Sequence, residues 1–165
     1  MSDSCCSTAG NQQKFTKTAC PQCATEGKKV QRITLGALLK PDARKRMPPG
    51  EAFLFCSSIN CPVVYFHEGK PLFGLDDLTV RVGQKVTEEP KPLCYCFGYT
   101  EKAIMEDVLK NQGKTNIPAE ITTQVKSGNC FCEVTNPQGS CCLGNVNQAV
   151  KKGATLYQAK QKQTI

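Results

Sequence analysis

Cysteine carries the chemistry of this chain. Twelve of its 165 residues are Cys, against one His and no Trp, and they fall in spaced groups. Cys94-Tyr95-Cys96 opens one group, and Cys130-Phe131-Cys132 with the adjacent pair Cys141-Cys142 closes it. Four soft thiolates brought from two distant loops are the donor set of an iron–sulfur cluster, and two small helices suffice to hold such loops in register. The stretch from Cys94 to Cys142 therefore reads as a [2Fe–2S] module. Spacing alone leaves Cys130 against Cys132, and Cys141 against Cys142, open as ligands.

A second group precedes it. In Cys20-Pro21-Gln22-Cys23 the two-residue gap and the proline curl the backbone so that both sulfurs face one point, and Cys56 and Cys61 flank a four-residue turn. C-x2-C followed by C-x4-C is a zinc signature with tetrahedral S4 ligation. Four protein ligands leave no position for water, so this zinc is expected to be structural. His67 could replace one cysteine, but exposure at a strand end is the expectation. Cys5-Cys6 lies in a polar stretch, where a mobile thiolate pair could capture a soft ion such as Cu(I).

Composition explains why metals are needed. Aromatic residues make up 7% of the chain, with 13 Gly and 10 Pro, thin material for a core. Domains of roughly 60–70 residues often require a staple. Disulfides would suit a secreted chain, yet residues 1–19 lack the apolar run of a signal peptide, and closely spaced pairs suit shared ligation better. No run of 18 apolar residues occurs, so no membrane insertion and a cytoplasmic location are expected.

The formal charge of +7 would fall to about +3 once zinc and cluster are bound, because each four-thiolate centre sums to −2. Basic residues are dispersed except at Arg44-Lys45-Arg46, which reads as a solvated face, so no nucleic-acid partner is expected. An enzyme is also not expected. The chain has no nucleophile–base pair beyond the lone His67, no phosphate-binding loop and no dinucleotide fingerprint.

The elements that must position these cysteines divide in two, giving an α+β chain: a small zinc-bound β-rich subdomain (18–87) and a small helical [2Fe–2S] subdomain (94–153). Residues 1–17 are expected as a disordered arm, 88–93 as a linker whose two prolines hold it extended, and 154–165 as a frayed tail. In the first unit, Lys29 to Leu35 alternates as a short strand would, and Leu35 to Arg46 could form a helix halted by Pro48-Pro49-Gly50. Apolar strands then enter Cys56 and leave Cys61. In the second unit, Thr100 caps a helix over 101–112, Pro118 starts another that ends before Gly128, and Asn136-Pro137-Gln138-Gly139 turns the chain back. A third short helix follows, marked by Val146, Ala149 and Val150 and closed by Gly153.

These motifs resemble known ones. Cys94-Tyr-Cys96-Phe-Gly-Tyr-Thr-Glu, two helices and a late cysteine pair are similar to the bacterioferritin-associated-ferredoxin-like [2Fe–2S] fold. More widely, the chain from about 18 to 150 resembles the N-terminal region of the CopZ-type copper chaperones. The residues that carry this are Cys20-Pro-x-Cys23, Phe55-Cys56-x4-Cys61-x-Val-Val-Tyr-Phe, Cys94-Tyr-Cys96 and Cys132-Glu-Val-Thr-Asn-Pro-x-Gly-x-Cys141-Cys142. The resemblance implies one zinc and one [2Fe–2S] centre in this order. It assigns Cys20, Cys23, Cys56 and Cys61 to zinc and Cys94, Cys96, Cys132 and Cys142 to the cluster, leaving Cys130 and Cys141 spare. The family's copper-docking domain, with its M-x-C-x-x-C loop, has no counterpart among these residues. What the resemblance carries over is thus the metal-cluster half.

The function expected is an iron–sulfur electron-transfer and metallochaperone accessory in copper handling. Its centre would reduce Cu(II) to Cu(I), with thiolates such as Cys5-Cys6 or Cys130/Cys141 to hold the ion, and its partner would be a copper-handling or redox protein. The alternative is a redox-sensitive interaction module in which zinc and cluster only staple the scaffold.

Overall fold

The computed structural model describes residues 18–50 and 52–164. Cys5, Cys6 and the arm expected over 1–17 lie outside the described residues.

The first half is a four-stranded antiparallel sheet in the order β1 (Lys28–Val30), β2 (Phe53–Phe55), β3 (Val63–His67) and β4 (Lys70–Gly74). All three residues of β2 are buried, which requires both sheet faces to be covered. Phe53 and Phe55 point to one face, where they meet Leu35, Leu39, Val64, Tyr65, Phe73 and Val82. Leu54 points to the other and packs with Cys20, Cys56, Cys61, Val63 and Phe66. The alternation of strand side chains thus delivers one greasy core and one cysteine core from the same strands.

The segment after β1 departs from expectation. The strand ends at Val30, and a helix, α1 (Arg32–Leu38), begins where alternation had suggested continued β structure. Leu35, Leu38 and Leu39 sit at i, i+3 and i+4 and are buried, whereas Ile33 is exposed, so the helical period prevails. The expected single helix to Arg46 is also broken. Leu39 and Lys40 are extended, and a separate turn, α2 (Pro41–Arg44), follows. Pro41 disfavours helical geometry at the residue before it and itself suits a helix start. The basic cluster is internally engaged. Arg44 donates to Leu39 O, Lys45 pairs with Asp42, and Arg46 pairs with Asp77 and lies over the Phe73 ring.

The second half has a two-stranded ladder, β5 (Pro92–Cys94) and β6 (Tyr99–Thr100), and four helices: α3 (Glu101–Lys110), α4 (Ile117–Lys126), α5 (Cys132–Thr135) and α6 (Leu143–Lys162). Pro92 pairs with Thr100, so the ladder reaches into the stretch read as linker; as first residue of its strand, Pro92 needs no N–H. Thr100 caps α3 as expected, its Oγ1 accepting from the Ala103 N–H at 3.2 Å. Ile104 and Val108 of α3, Ile117 and Ile121 of α4, and Val146 and Ala149 of α6 are buried.

Helix α6 runs through Gly153 to Lys162, which corrects both the expected stop and the frayed tail. Gly153 is there for packing. A Cβ at this position would stand 3.0 Å from Val108 Cβ, so its absence lets α3 and α6 close on one another.

The halves are joined by hydrogen bonds from the sheet side to the turns that carry the later cysteines. Thr34 Oγ1 donates to Glu133 O (2.6 Å) and the buried Tyr65 hydroxyl donates to Pro137 O (2.7 Å).

Candidate metal centres

The first site forms between the turn at 20–23 and the ends of β2 and β3. Cys20 and Cys61 sulfurs are 3.7 Å apart, Cys23 and Cys56 sulfurs 3.6 Å apart, and all four lie within 4.8 Å of one another. A tetrahedral ion with Zn–S bonds of about 2.3 Å requires S···S edges of about 3.8 Å. Local structure explains the convergence. Cys20 N–H donates to Thr25 O and Ala24 N–H to Cys20 O, which closes the first knuckle, and Cys56 N–H donates to Val64 O at the mouth of the second.

The electrostatics of this cage favour a cation. Cys20, Cys56 and Cys61 are buried. Burial pushes the Cys56 thiol up to about 12, against the pull of the Ser58 backbone and the Lys85 charge, and burial also pushes Cys61 up. Cys23 goes the other way: burial raises it, but hydrogen bonds from Thr25, Cys56 and Cys20 outweigh this and hold it at about 6. Buried thiols crowded together cannot all ionise alone, and a divalent ion among them removes that conflict. His67 stands apart from the four sulfurs. It is half-buried at the end of β3, with Nδ1 against Ala52 O and its ring 5.9 Å from that of Phe53.

The second site gathers five of the six later cysteines. Cys94 ends β5, Cys96 follows it, Cys132 opens α5, and Cys142 precedes α6. Cys94, Cys132 and Cys142 are buried and Cys96 is half-buried. Cys96 and Cys132 sulfurs are 3.9 Å apart, while Cys142 contacts both Cys94 and Cys132. Cys130, expected to be spare, is the fifth: its sulfur lies 3.4 Å from Cys132 Sγ. Cys141, the other spare, is exposed.

These sulfurs meet hydrogen-bond donors. The Phe131 N–H donates to Cys96 Sγ (3.1 Å), Thr135 Oγ1 lies 3.2 Å from it, and backbone donors at Phe97 and Cys96 reach Cys94. Contact with Cys142 is the main influence holding Cys132 at about 5 and Cys94 at about 7, while Cys142 is raised by those two neighbours. Burial pushes Cys130 up to about 12.

The loop before Cys142 is held by two buried amides. Gln138 Nε2 donates to Cys141 O (2.9 Å) and Ser140 O (3.2 Å), and Asn136 Nδ2 also donates to Ser140 O. Gln138 Oε1 accepts from Asn145 and from Gln84. This is the turn expected from Asn136-Pro137-Gln138-Gly139, with its side chains now given a task. Sequence reasoning missed Thr25, Gln84, Lys85 and Thr135. Thr25 and Thr135 had a signal, because they stand two and three residues beyond a cysteine. Gln84 and Lys85 had none, since their roles depend on a distant turn docking here.

A family model described as a zinc binding domain, zf_CopZ, matches residues 17–79, the part that contains the four-sulfur cage. The copper chaperone CopZ of Archaeoglobus fulgidus is 45% identical over 123 residues, 74% of this chain and 57% of that protein. The X-ray structure of the Archaeoglobus fulgidus CopZ N-terminal domain matches with a TM-score of 0.64 at 37% identity, over 79% of this chain and 95% of that one. The chain belongs to the CopZ family. It spans a little over half the length of its curated CopZ relative, and the part it shares in three dimensions is the N-terminal domain. This CopZ-family chain therefore carries a zinc-binding domain and a second, separate convergence of cysteines. Among its described residues, no helix is long and apolar enough to cross a membrane.

Proposed function

We propose that the chain is a metal-carrying accessory of copper handling with two resident centres. Cys20, Cys23, Cys56 and Cys61 would hold a structural zinc, and Cys94, Cys96, Cys132 and Cys142 a [2Fe–2S] cluster. The observation that carries the reading is the convergence of those later four from three separate segments, in a chain 45% identical to a protein named as a copper chaperone. The donor set fits a thiolate-held cluster, because all four ligands are sulfur and backbone N–H groups reach Cys94 and Cys96. A cytoplasmic location goes with this reading, because a reducing compartment keeps thiols available as metal ligands.

When bound, a [2Fe–2S] centre would supply one electron at a time, enough to take one Cu(II) to Cu(I). The chain's own residues do the rest. The Phe131 N–H donates to Cys96 and Thr135 packs its hydroxyl against it, Gln138 and Asn136 fix the loop that presents Cys142, and α3, α4 and α6 wall off Cys94, Cys132 and Cys142 from water. A copper-handling or redox protein would be the partner, and the chain a carrier, not an enzyme. The two centres divide at about residues 88–93, the stretch read as a linker.

Anaerobic purification with metal analysis tests the reading. About two iron, two acid-labile sulfide and one zinc per chain are expected, with a visible spectrum that bleaches on reduction. A colourless protein whose thiols titrate as oxidised pairs would sink it.

A further inference from the structure

Cys130 is the half-buried cysteine that the cluster reading leaves without a task. Its sulfur stands 3.4 Å from Cys132 Sγ, which stands 3.9 Å from Cys96 Sγ, and the three lie within 4.8 Å of one another. A flat three-coordinate ion with thiolate bonds of about 2.3 Å has S···S edges of about 4.0 Å. We propose that Cys96, Cys130 and Cys132 form a three-thiolate site for one Cu(I), used when no cluster occupies Cys96 and Cys132.

The choice of ion rests on the copper-handling reading and on the donors. Thiolates select soft ions, and Cu(I) is satisfied by three of them where zinc would lack its fourth ligand. Three thiolates with Cu(I) carry a charge of −2, and each S–H that ionises gives its proton to solvent. The Phe131 N–H, which donates to Cys96 Sγ, is placed to offset part of that charge.

Access separates this site from the zinc cage. Cys96 and Cys130 are half-buried, and Phe131 between Cys130 and Cys132 is 54% exposed, so an ion here can be exchanged at the surface. Three of the four cage sulfurs are buried. Cys141 plays no part: it is exposed and outside the trio. Because Cys96 and Cys132 are shared, the chain holds copper or a cluster here, never both.

The test uses the full chain carrying Cys5→Ser and Cys6→Ser, isolated with zinc but without cluster, and titrated with Cu(I) against a chromophoric chelator. One Cu(I) is expected, with three sulfur neighbours by X-ray absorption and zinc content unchanged. Cys130→Ser should weaken binding at least about tenfold, and Cys141→Ser should leave it unaltered. Equal binding by Cys130→Ser, release of zinc in step with copper uptake, or two sulfur neighbours in the chain with Cys130 intact would each overturn the proposal. The last needs no variant at position 130. Copper bound indifferently to Cys130 defeats this site alone. No Cu(I) bound at all defeats the copper-handling reading with it.

Discussion

The ammonium of Lys85 is buried against the backbone of Cys61, with Nζ 3.0 Å from the Cys61 carbonyl oxygen and 2.9 Å from that of Ser58. The two residues before it reach the other centre. Gly83 N–H donates to the hydroxyl of Tyr95, which lies between Cys94 and Cys96, and Gln84 donates to Gln138 in the loop before Cys142. One short turn therefore touches both groups of cysteines. A divalent ion among four thiolates leaves a charge of −2, and a buried cation beside the cage offsets part of it. Lys85→Met removes that charge and leaves the buried Cys61 carbonyl without its donor, while Ser58 O keeps the Cys61 N–H. It should cost about 2–3 kcal/mol and speed zinc loss to a competing chelator about tenfold. Unchanged zinc release would show that Lys85 only fills space.

Gly83 must be glycine for a different reason. A Cβ there would stand 1.8 Å from Pro92 O, a backbone atom that cannot move without displacing β5 and Cys94. Gly83→Ala should lose at least about 3 kcal/mol, seen as a fall of roughly 10 °C in melting temperature. Gly36 in α1 has open space around it, so Gly36→Ala should be neutral or slightly stabilising through helix propensity. If both variants melted alike, the close approach of the Gly83 turn to β5 would be refuted.

Which parts were legible in the sequence follows from how local their causes are. The knuckle at Cys20–Cys23, the cap at Thr100 and the turn at Asn136–Gly139 are set by residues within a few positions of each other, and the structure places all three as expected. The strand-to-helix change at Arg32 was ambiguous because Val30, Ile33 and Leu35 satisfy an imperfect alternation, while the deciding contacts of Leu35 and Leu39 come from distant β2, β3 and Val82. Gly153 reads as a stop because a glycine after a helical run is the ordinary stop signal, and only the approach of Val108 reveals the packing role. The family pattern leaves Cys130 spare, and its position beside Cys132 depends on how the chain enters α5.

Tyr65 tests how firmly the halves are joined. Its ring is fully buried in the sheet core and its hydroxyl crosses to Pro137 O at 2.7 Å. Tyr65→Phe keeps the ring and leaves a buried carbonyl unsatisfied, at a cost of about 1–3 kcal/mol. The loss should appear as a lower urea midpoint with an unchanged slope. If Cys142 ligates the proposed cluster, faster cluster loss is expected as well, because Pro137 lies in the same turn as Gln138. An unaltered midpoint would mean that the contact contributes nothing across the junction.

Glu101 predicts a dependence on pH. Its carboxylate takes Lys91 at 3.0 Å and Lys152 at 3.1 Å, tying the start of α3 to the approach to β5 and to α6, and its side chain is only 19% exposed. Burial alone would raise its pKa, but the hydrogen bonds and charges of the two lysines outweigh this and hold it below the usual 4.5. A folded-state value below the unfolded one means the contribution is fully present above 4.5 and is lost as pH falls through the lower, folded value. Glu101→Gln should therefore be less stable than the parent by about 1 kcal/mol at pH 7. That gap should narrow as acid protonates the parent's carboxyl, which paired urea titrations at pH 7, 5 and 4 and below would follow. Because any metal lost to acid is lost from both proteins, it cancels in the difference. A gap that stayed constant down to the acid limit would assign the effect to side-chain shape and not to the two ion pairs.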